Sequence, residues 1–242
     1  KTYSFAYGSG TVELPLDEKN VIGELHGNAV APLADIRAAL WASLDAPIDS
    51  APLCERARSG DTVTLVVSDM TRFWMRQDLV VPHLVDYLTE RCGVREEDIT
   101  IVIANGTHIG GDEQELRTLV TDAVYDRVKV KNHDCEAKDL VYLGTTPHGT
   151  PVSIDRTAEA DLVVCLGAVT HHVMAGFGGG RKSILPGISG RETIFHNHAF
   201  SLDAAQLRSN PAIGNGVLKG NPLHEDMCEA AGLVKNLFIV NL

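Results

Sequence analysis

No two cysteines of this chain stand close enough in sequence to make a CxxC pair. The five, at positions 54, 92, 135, 165 and 228, are dispersed and odd in number. Such a set offers neither a zinc-finger ligand set nor a disulfide framework, and it reads as reduced thiols in a cytoplasmic protein. No apolar run approaches the ~20 residues needed to span a bilayer, so no membrane segment is expected. No lysine–arginine cluster offsets the net charge of −11, which disfavours a nucleic-acid partner. The opening Lys1–Tyr7 lacks the charged-then-apolar order of a signal peptide. There is no internal repeat, no low-complexity tract and no HExxH, so a zinc-protease reading fails. The missing initiator methionine, and an end at Leu242 inside a strand-like run, lead us to expect a truncated or proteolysed piece of a longer protein.

The chain does have enough length and apolar content for a sizeable core: 242 residues, 44% hydrophobic and 22% charged. Short strand-like runs open it, at Thr2 to Tyr7, Val12 to Leu16 and Val21 to Leu25. Leu33, Ile36, Leu40, Trp41 and Leu44 then recur at helical spacing. Thr62 to Val67 is a continuous β-branched run of the kind a buried parallel strand shows. A helix follows with Val80, Val81, Leu84, Val85 and Leu88 on one face and Gly93 as its stop. Ile99 to Ala104 reads as a second strand, Leu116, Leu119, Val120, Val124 and Val128 as one helix, and Leu162 to Leu166 as a third strand. Leu237 to Leu242 reads as a strand too. This alternation predicts an α/β fold, a Rossmann-like open, mostly parallel sheet with flanking helices, preceded by a short β-rich N-terminal segment.

Ligands of such folds sit outside the carboxyl ends of the strands. The polar clusters Ser68-Asp69-Met70-Thr71-Arg72, Asn105-Gly106-Thr107-His108 and Thr170-His171-His172 all fall at such ends, followed by the glycine run Gly178, Gly179 and Gly180. They are expected to converge on one crevice. Gly176-Phe177-Gly178-Gly179-Gly180-Arg181-Lys182-Ser183 nearly matches a phosphate-binding P-loop. Arg181, however, stands where that motif needs glycine, and Pro186 and Gly187 interrupt the helix it requires. Lys182 and Arg181 are either solvated cations on a surface turn or, for the lysine, a covalent attachment point for a ligand. His196 and His198 are two apart, a spacing that shares a face in a strand but not in a helix. Imidazole suits several metals and also proton transfer near neutral pH, so residue type leaves both roles open. Asp69 and Arg72 fit a ribose or phosphate contact, or equally an ion pair within the chain.

Taken together, Ser68 to Arg72, Asn105 to His108, His172 to Gly187 (HVMAGFGGGRKSILPG) and His198 resemble the lactate racemase family in order and spacing. The resemblance implies an N-terminal catalytic, cofactor-binding domain over residues 1–242, with the family's C-terminal domain absent from this chain. It implies a racemase or epimerase that inverts the C2 centre of a 2-hydroxy acid by reversible hydride transfer to a nickel-pincer nucleotide, a pyridinium mononucleotide carrying two thiocarboxyl groups. By that resemblance Lys182 joins the cofactor through a thioamide and His198 ligates nickel. His108 and His172 are the acid–base pair, and Arg72 acts on the reacting group. Asp69, Thr71, Gly178, Gly179 and Gly180 bind the cofactor. The implied partners are a small 2-hydroxy acid and, transiently, the enzymes that build the cofactor. The family's Asp-His-Thr-Arg-Pro here reads Asp69-Met70-Thr71-Arg72-Phe73, with Trp74 next, which leaves lactate, a larger hydroxy acid or a sugar acid admissible. The competing readings are a non-catalytic nucleotide- or metal-binding module and a zinc-dependent hydrolase built on the same histidines.

Overall fold

The computed structural model describes residues 1–242, and the chain divides into two units, Lys1–Ala34 and Asp35–Leu242. The single domain expected over 1–242 is thus a large unit with a small one before it in sequence. In the small unit β1 (Thr2–Tyr7) and β2 (Gly10–Pro15) pair antiparallel, with Phe5 opposite Val12. The third strand expected at Val21 to Leu25 does not form: Ile22 and Leu25 are fully exposed, with no neighbouring strand to pair them.

In the large unit the helix expected near residue 33 is α1 (Ile36–Asp45), which starts where the Asp35 side chain accepts the Ala38 N–H at 2.9 Å. Leu40 and Leu44 face the core, and Leu33 lies before the helix, exposed. The β-branched run becomes β3 (Val63–Ser68), the next helix is α2 (Val81–Glu90), and β4 is Ile99–Ala104. Gly93, at φ +73°, supplies the left-handed residue after α2. The single helix read through Leu116 to Val128 is broken into α3 (Glu113–Val120) and α4 (Asp122–Tyr125). Thr121 lies between them at φ +77°, its hydroxyl accepting the Val124 N–H, so a new helix cap replaces continuation of the old helix. The apolar positions all remain buried, because the break keeps them on one side.

Short β5 (Lys129–Asn132) follows, then an antiparallel hairpin of β6 (Val141–Thr145) and β7 (Pro151–Ile154), then β8 (Leu162–Gly167). Helices α5 (Arg191–Ala199) and α6 (Pro222–Gly232) lead to the last strand, β9 (Leu237–Asn241). The five-stranded sheet runs β9-β8-β3-β4-β5, and every pairing in it is parallel. In chain order this is the 3-2-1-4-5 arrangement of a doubly wound sheet, whose direction of winding reverses between β3 and β8.

Alternation along the strands divides the core in two. Leu65, Val67, Ile101, Ile103, Val164 and Leu166 pack under α1 to α4. Val66, Val102, Val163 and Cys165 face Ile184, Leu185, Ile194, Leu223 and Met227 on the opposite side. The buried Asp155 and His133 join the half-exposed Lys131 in an ion cluster. The Asp155 carboxylate accepts from Lys131 Nζ at 2.9 and 3.0 Å, from the Thr157 hydroxyl and amide, and from His133 Nδ1 at 3.3 Å. Burial alone would raise the Asp155 pKa, but the bonds from His133, Lys131 and Thr157 outweigh it and hold the carboxyl below the usual range.

A folded-state pKa below the unfolded value gives stability that is present above about pH 4 and lost as pH falls further. The chain should therefore lose stability in acid below about pH 4. Asp155→Asn should lower stability at pH 7 by about 2 kcal/mol and flatten that acid limb, as read from urea midpoints at pH 3 to 7.

Candidate active site

A cavity of about 360 Å³ opens at the carboxyl ends of β3, β4 and β8, beside the point where the winding reverses. The three polar clusters do converge here. Arg72, His108, His172, Lys182, His198, Gly178 and Gly179 all line it. Asp69, Thr71 and Gly180 are not on its wall. Asp69 is buried behind it, Thr71 is exposed, and the buried Gly180 gives its N–H to Asn241 Oδ1 at 3.0 Å.

Asp69 holds its neighbours in place. One carboxylate oxygen accepts from the Thr71 hydroxyl at 2.5 Å and from Arg72 Nη1 at 3.3 Å, and the other meets His108 Nδ1 at 2.5 Å. In the neutral ring, an Nδ1–H donated to Asp69 leaves the Nε2 lone pair free, as a general base requires. The strand end that carries this group is pinned by Gln77. Its buried amide bonds both the Ser68 N–H, at 3.1 Å, and the Ser68 carbonyl, at 2.8 Å.

The glycine run is not the surface turn with two solvated cations. The Arg181 guanidinium points back into the chain, donating to the carbonyls of Ala175 at 2.8 Å, Phe177 at 3.0 Å and Gly178 at 3.3 Å. Gly179 sits at φ +77°, and a Cβ there would lie 2.6 Å from Asn241 Oδ1; one on Gly178 would lie 2.8 Å from the Ala168 carbonyl. The turn therefore lies flat against the ends of β8 and β9. Gly180–Ser183 is a single 3-10 turn rather than the start of a long helix, which removes the P-loop reading.

That turn aims Lys182 into the cavity, with Nζ 3.0 Å from His172 Nε2. His172 Nδ1 accepts two backbone N–H groups, of Met174 at 3.2 Å and Ala175 at 3.0 Å. Burial, then Lys182, Arg72, His198 and Arg181, push the His172 imidazole down to about 4. Burial, then Arg72 and Arg181, bring the Lys182 ammonium down to about 8. His198 is on a helix, not a strand, so it and His196 part: His196 is exposed, while His198 lies on the cavity wall one turn after Ile194. Its Nδ1–H donates to the Ile194 carbonyl at 2.9 Å, and burial lowers its pKa. A neutral imidazole tied at Nδ1 presents Nε2 as a metal ligand.

Three further features shape the cavity. Asn105 is buried, its amide nitrogen bonds Asn132 Oδ1 and the His133 carbonyl, and its Oδ1 has no partner. That oxygen is an acceptor available to a ligand. Trp74 and Phe195 form exposed apolar wall, while Phe73 turns away to pack on the core. The lining contains two cations and no carboxylate, so it suits an anionic ligand. The one group of three His, Cys, Asp or Glu ligand atoms within 4.8 Å of one another is His148, Asp226 and Glu229, none of which lines the cavity. The zinc-hydrolase reading therefore has no ligand set among the crevice histidines.

A doubly wound α/β domain with a cationic, histidine-lined crevice at its switch point has the form of a ligand-binding α/β domain. The family model described as lactate racemase N-terminal domain matches residues 7–209, and the chain belongs to that family. It is 30% identical over 240 residues to the lactate racemase of Thermoanaerobacterium thermosaccharolyticum, covering 98% of this chain and 54% of that protein. It is 31% identical over 241 residues to the lactate racemase of Lactiplantibacillus plantarum, covering 98% and 55%. The chain thus spans about half the length of the curated relatives it matches. The apoprotein structure of the Thermoanaerobacterium racemase superposes with a TM-score of 0.83 at 28% identity, covering all of this chain and 58% of that one. A Thermotoga maritima protein shares the fold, with a TM-score of 0.65 at 22% identity over 85% of this chain and 50% of that one.

If Asp69 fixes the His108 tautomer, Asp69→Asn should shift the imidazole proton toward Nε2. Nitrogen-15 shifts of His108 read this directly, and an unchanged Nδ1–H pattern in the variant would contradict the assignment.

Proposed function

We propose that this chain is the cofactor-bearing half of a racemase or epimerase acting at C2 of a 2-hydroxy acid, through a nickel-pincer nucleotide tethered to Lys182. The observation that carries the reading is the meeting, in one carboxylate-free cavity, of a half-buried lysine with a histidine whose free Nε2 is ligand-ready. These residues fit the group. Lys182 would make the covalent link and His198 would ligate nickel. The unpartnered Asn105 Oδ1 would accept from a donor of the nucleotide, and Gly178 and Gly179 would lie beside it. Asp69 and Thr71 act at one remove, by holding Arg72 and His108.

When bound, the nucleotide supplies a hydride acceptor, a chemistry no side chain offers. The chain's own residues manage charge and protons. His108 Nε2 takes the C2 hydroxyl proton and returns it, its Nδ1–H anchored throughout on Asp69. Arg72 stabilises negative charge on the reacting acid. His172, the second acid–base histidine, presents Nε2–H and so stands opposite in sense to His108: one is set as base, the other as donor. Trp74 and Phe195 favour an acid with more apolar bulk than a methyl group. The partners that follow are the hydroxy acid and, transiently, the enzymes that build the cofactor. Five unpaired cysteines and the lack of any helix long and apolar enough to cross a membrane accord with a cytoplasmic setting.

Co-production with the cofactor-building enzymes, followed by intact-mass and nickel analysis, tests this. An adduct mapped to Lys182 with about one nickel per chain is expected from single-site ligation. Lys182→Ala should carry no adduct, and His198→Ala should keep the adduct but lose most of the nickel. No adduct on this chain, beside a racemase that does form one, would sink the reading.

A further inference from the structure

Lys182 enters a cavity that holds no counter-ion for it. The charged and titratable groups lining the cavity with it are Arg72 after β3, His108 after β4, His172 after β8 and His198 on α5, and Arg181 lies next to it in the chain. None is a carboxylate, and Lys182 forms no salt bridge. Its one polar side-chain partner is His172 Nε2 at 3.0 Å. The far side of that ring decides what the contact is. Two backbone N–H groups point at Nδ1, so Nδ1 is an acceptor and the single proton of the neutral ring lies on Nε2. An ammonium has three donors and no acceptor, so facing Nε2–H it would set donor against donor. A free amine has the lone pair that Nε2–H needs.

We propose that His172 is a positioning residue for Lys182: its tautomer, locked by the Met174 and Ala175 N–H groups, donates to Nζ and favours the free, nucleophilic amine of the lysine over its ammonium. This gives His172 a role before any turnover, in preparing the attachment point. A hydrogen bond to the neutral form disfavours the charged one, and burial and the two arginines act in the same direction. The inference deepens the attachment reading above, but its test needs no cofactor, so the two can fail separately.

The test is trace labelling of the whole chain with acetic anhydride from pH 6 to 10. Lysines are resolved by peptide mass spectrometry, with the exposed Lys219 and Lys235 as internal references. Lys182 should reach half-maximal labelling at or below about pH 8. His172→Leu keeps the site apolar and removes the donor. It should move that midpoint upward and cut labelling at pH 7 roughly tenfold, the effect of one hydrogen bond to the neutral amine. His172→Gln, whose amide N–H can reach the same point, should restore most of it. A Leu variant that labels like the parent, or a Gln variant no better than Leu, overturns the proposal. Should a variant not fold, the nitrogen-15 shifts of His172 in the parent protein decide. Nε2–H is expected, and Nδ1–H overturns it.

Discussion

The close approach of the turn at Gly178–Gly180 to the ends of β8 and β9 governs the geometry of everything around it. Side chains are excluded there because the Ala168 carbonyl and the Asn241 amide occupy the space a Cβ would take. The turn's own carbonyls are drawn together by the Arg181 guanidinium, and the Gly180 N–H is held by Asn241. With the backbone fixed so near the sheet, the Lys182 side chain lines the crevice and reaches His172. The same segment carries the Met174 and Ala175 amides that meet His172. One packing constraint thus sets the place of the lysine, the protonation of its neighbour, and through both the chemistry the cavity can support.

The three crevice histidines differ in what their Nδ1 atoms meet. A carboxylate takes the Nδ1 proton of His108, a helix carbonyl takes that of His198, and two amides deny one to His172. The contacts favour a bare Nε2 on His108 and His198 and an Nε2–H on His172, and the proposed roles of base, metal ligand and donor rest on that difference. Imidazole allows all three roles at neutral pH, and its surroundings choose among them. Asp69 shows the same economy. It stands off the cavity wall, yet it orders two groups that do line it.

The central strands were legible because a run such as Val63 to Val67 or Leu162 to Leu166 suits only a strand buried on both faces. The placement of polar clusters at their ends then located the crevice, and the family resemblance named candidate roles for Lys182 and His198. Elsewhere, local pattern misled. Apolar spacing ran unbroken through Thr121, because burial on one side constrains spacing and not continuity, so the break between α3 and α4 was invisible. The run at Val21 to Leu25 has strand composition but no partner. The His196–His198 pair was ambiguous until α5 was seen to be a helix, since Arg191 to Ala199 has no clear apolar face. Gln77 and Asn241 belong to no motif, and Asn105, though inside the Asn105–His108 cluster, was given no role of its own. Their importance lies in which backbone atoms they reach across 9, 28 and 61 residues of chain.

By itself, then, the sequence determined the parallel α/β architecture, the three strand ends that bear the chemistry, and the residues at which a known family's site would fall. Those properties are encoded in periodicity and in order along the chain, which need no third dimension. Only the tertiary structure decided that Arg181 is a clamp and not a solvated cation, and that Asp69 and Thr71, expected to bind the cofactor, are off the cavity wall, the one buried and the other exposed. It also decided what the Nδ1 of each crevice histidine meets, and so which tautomer its surroundings favour. Protonation and orientation depend on contacts between residues distant in sequence, in a cavity from which carboxylates are excluded, and such contacts exist only once the sheet has brought its ends together.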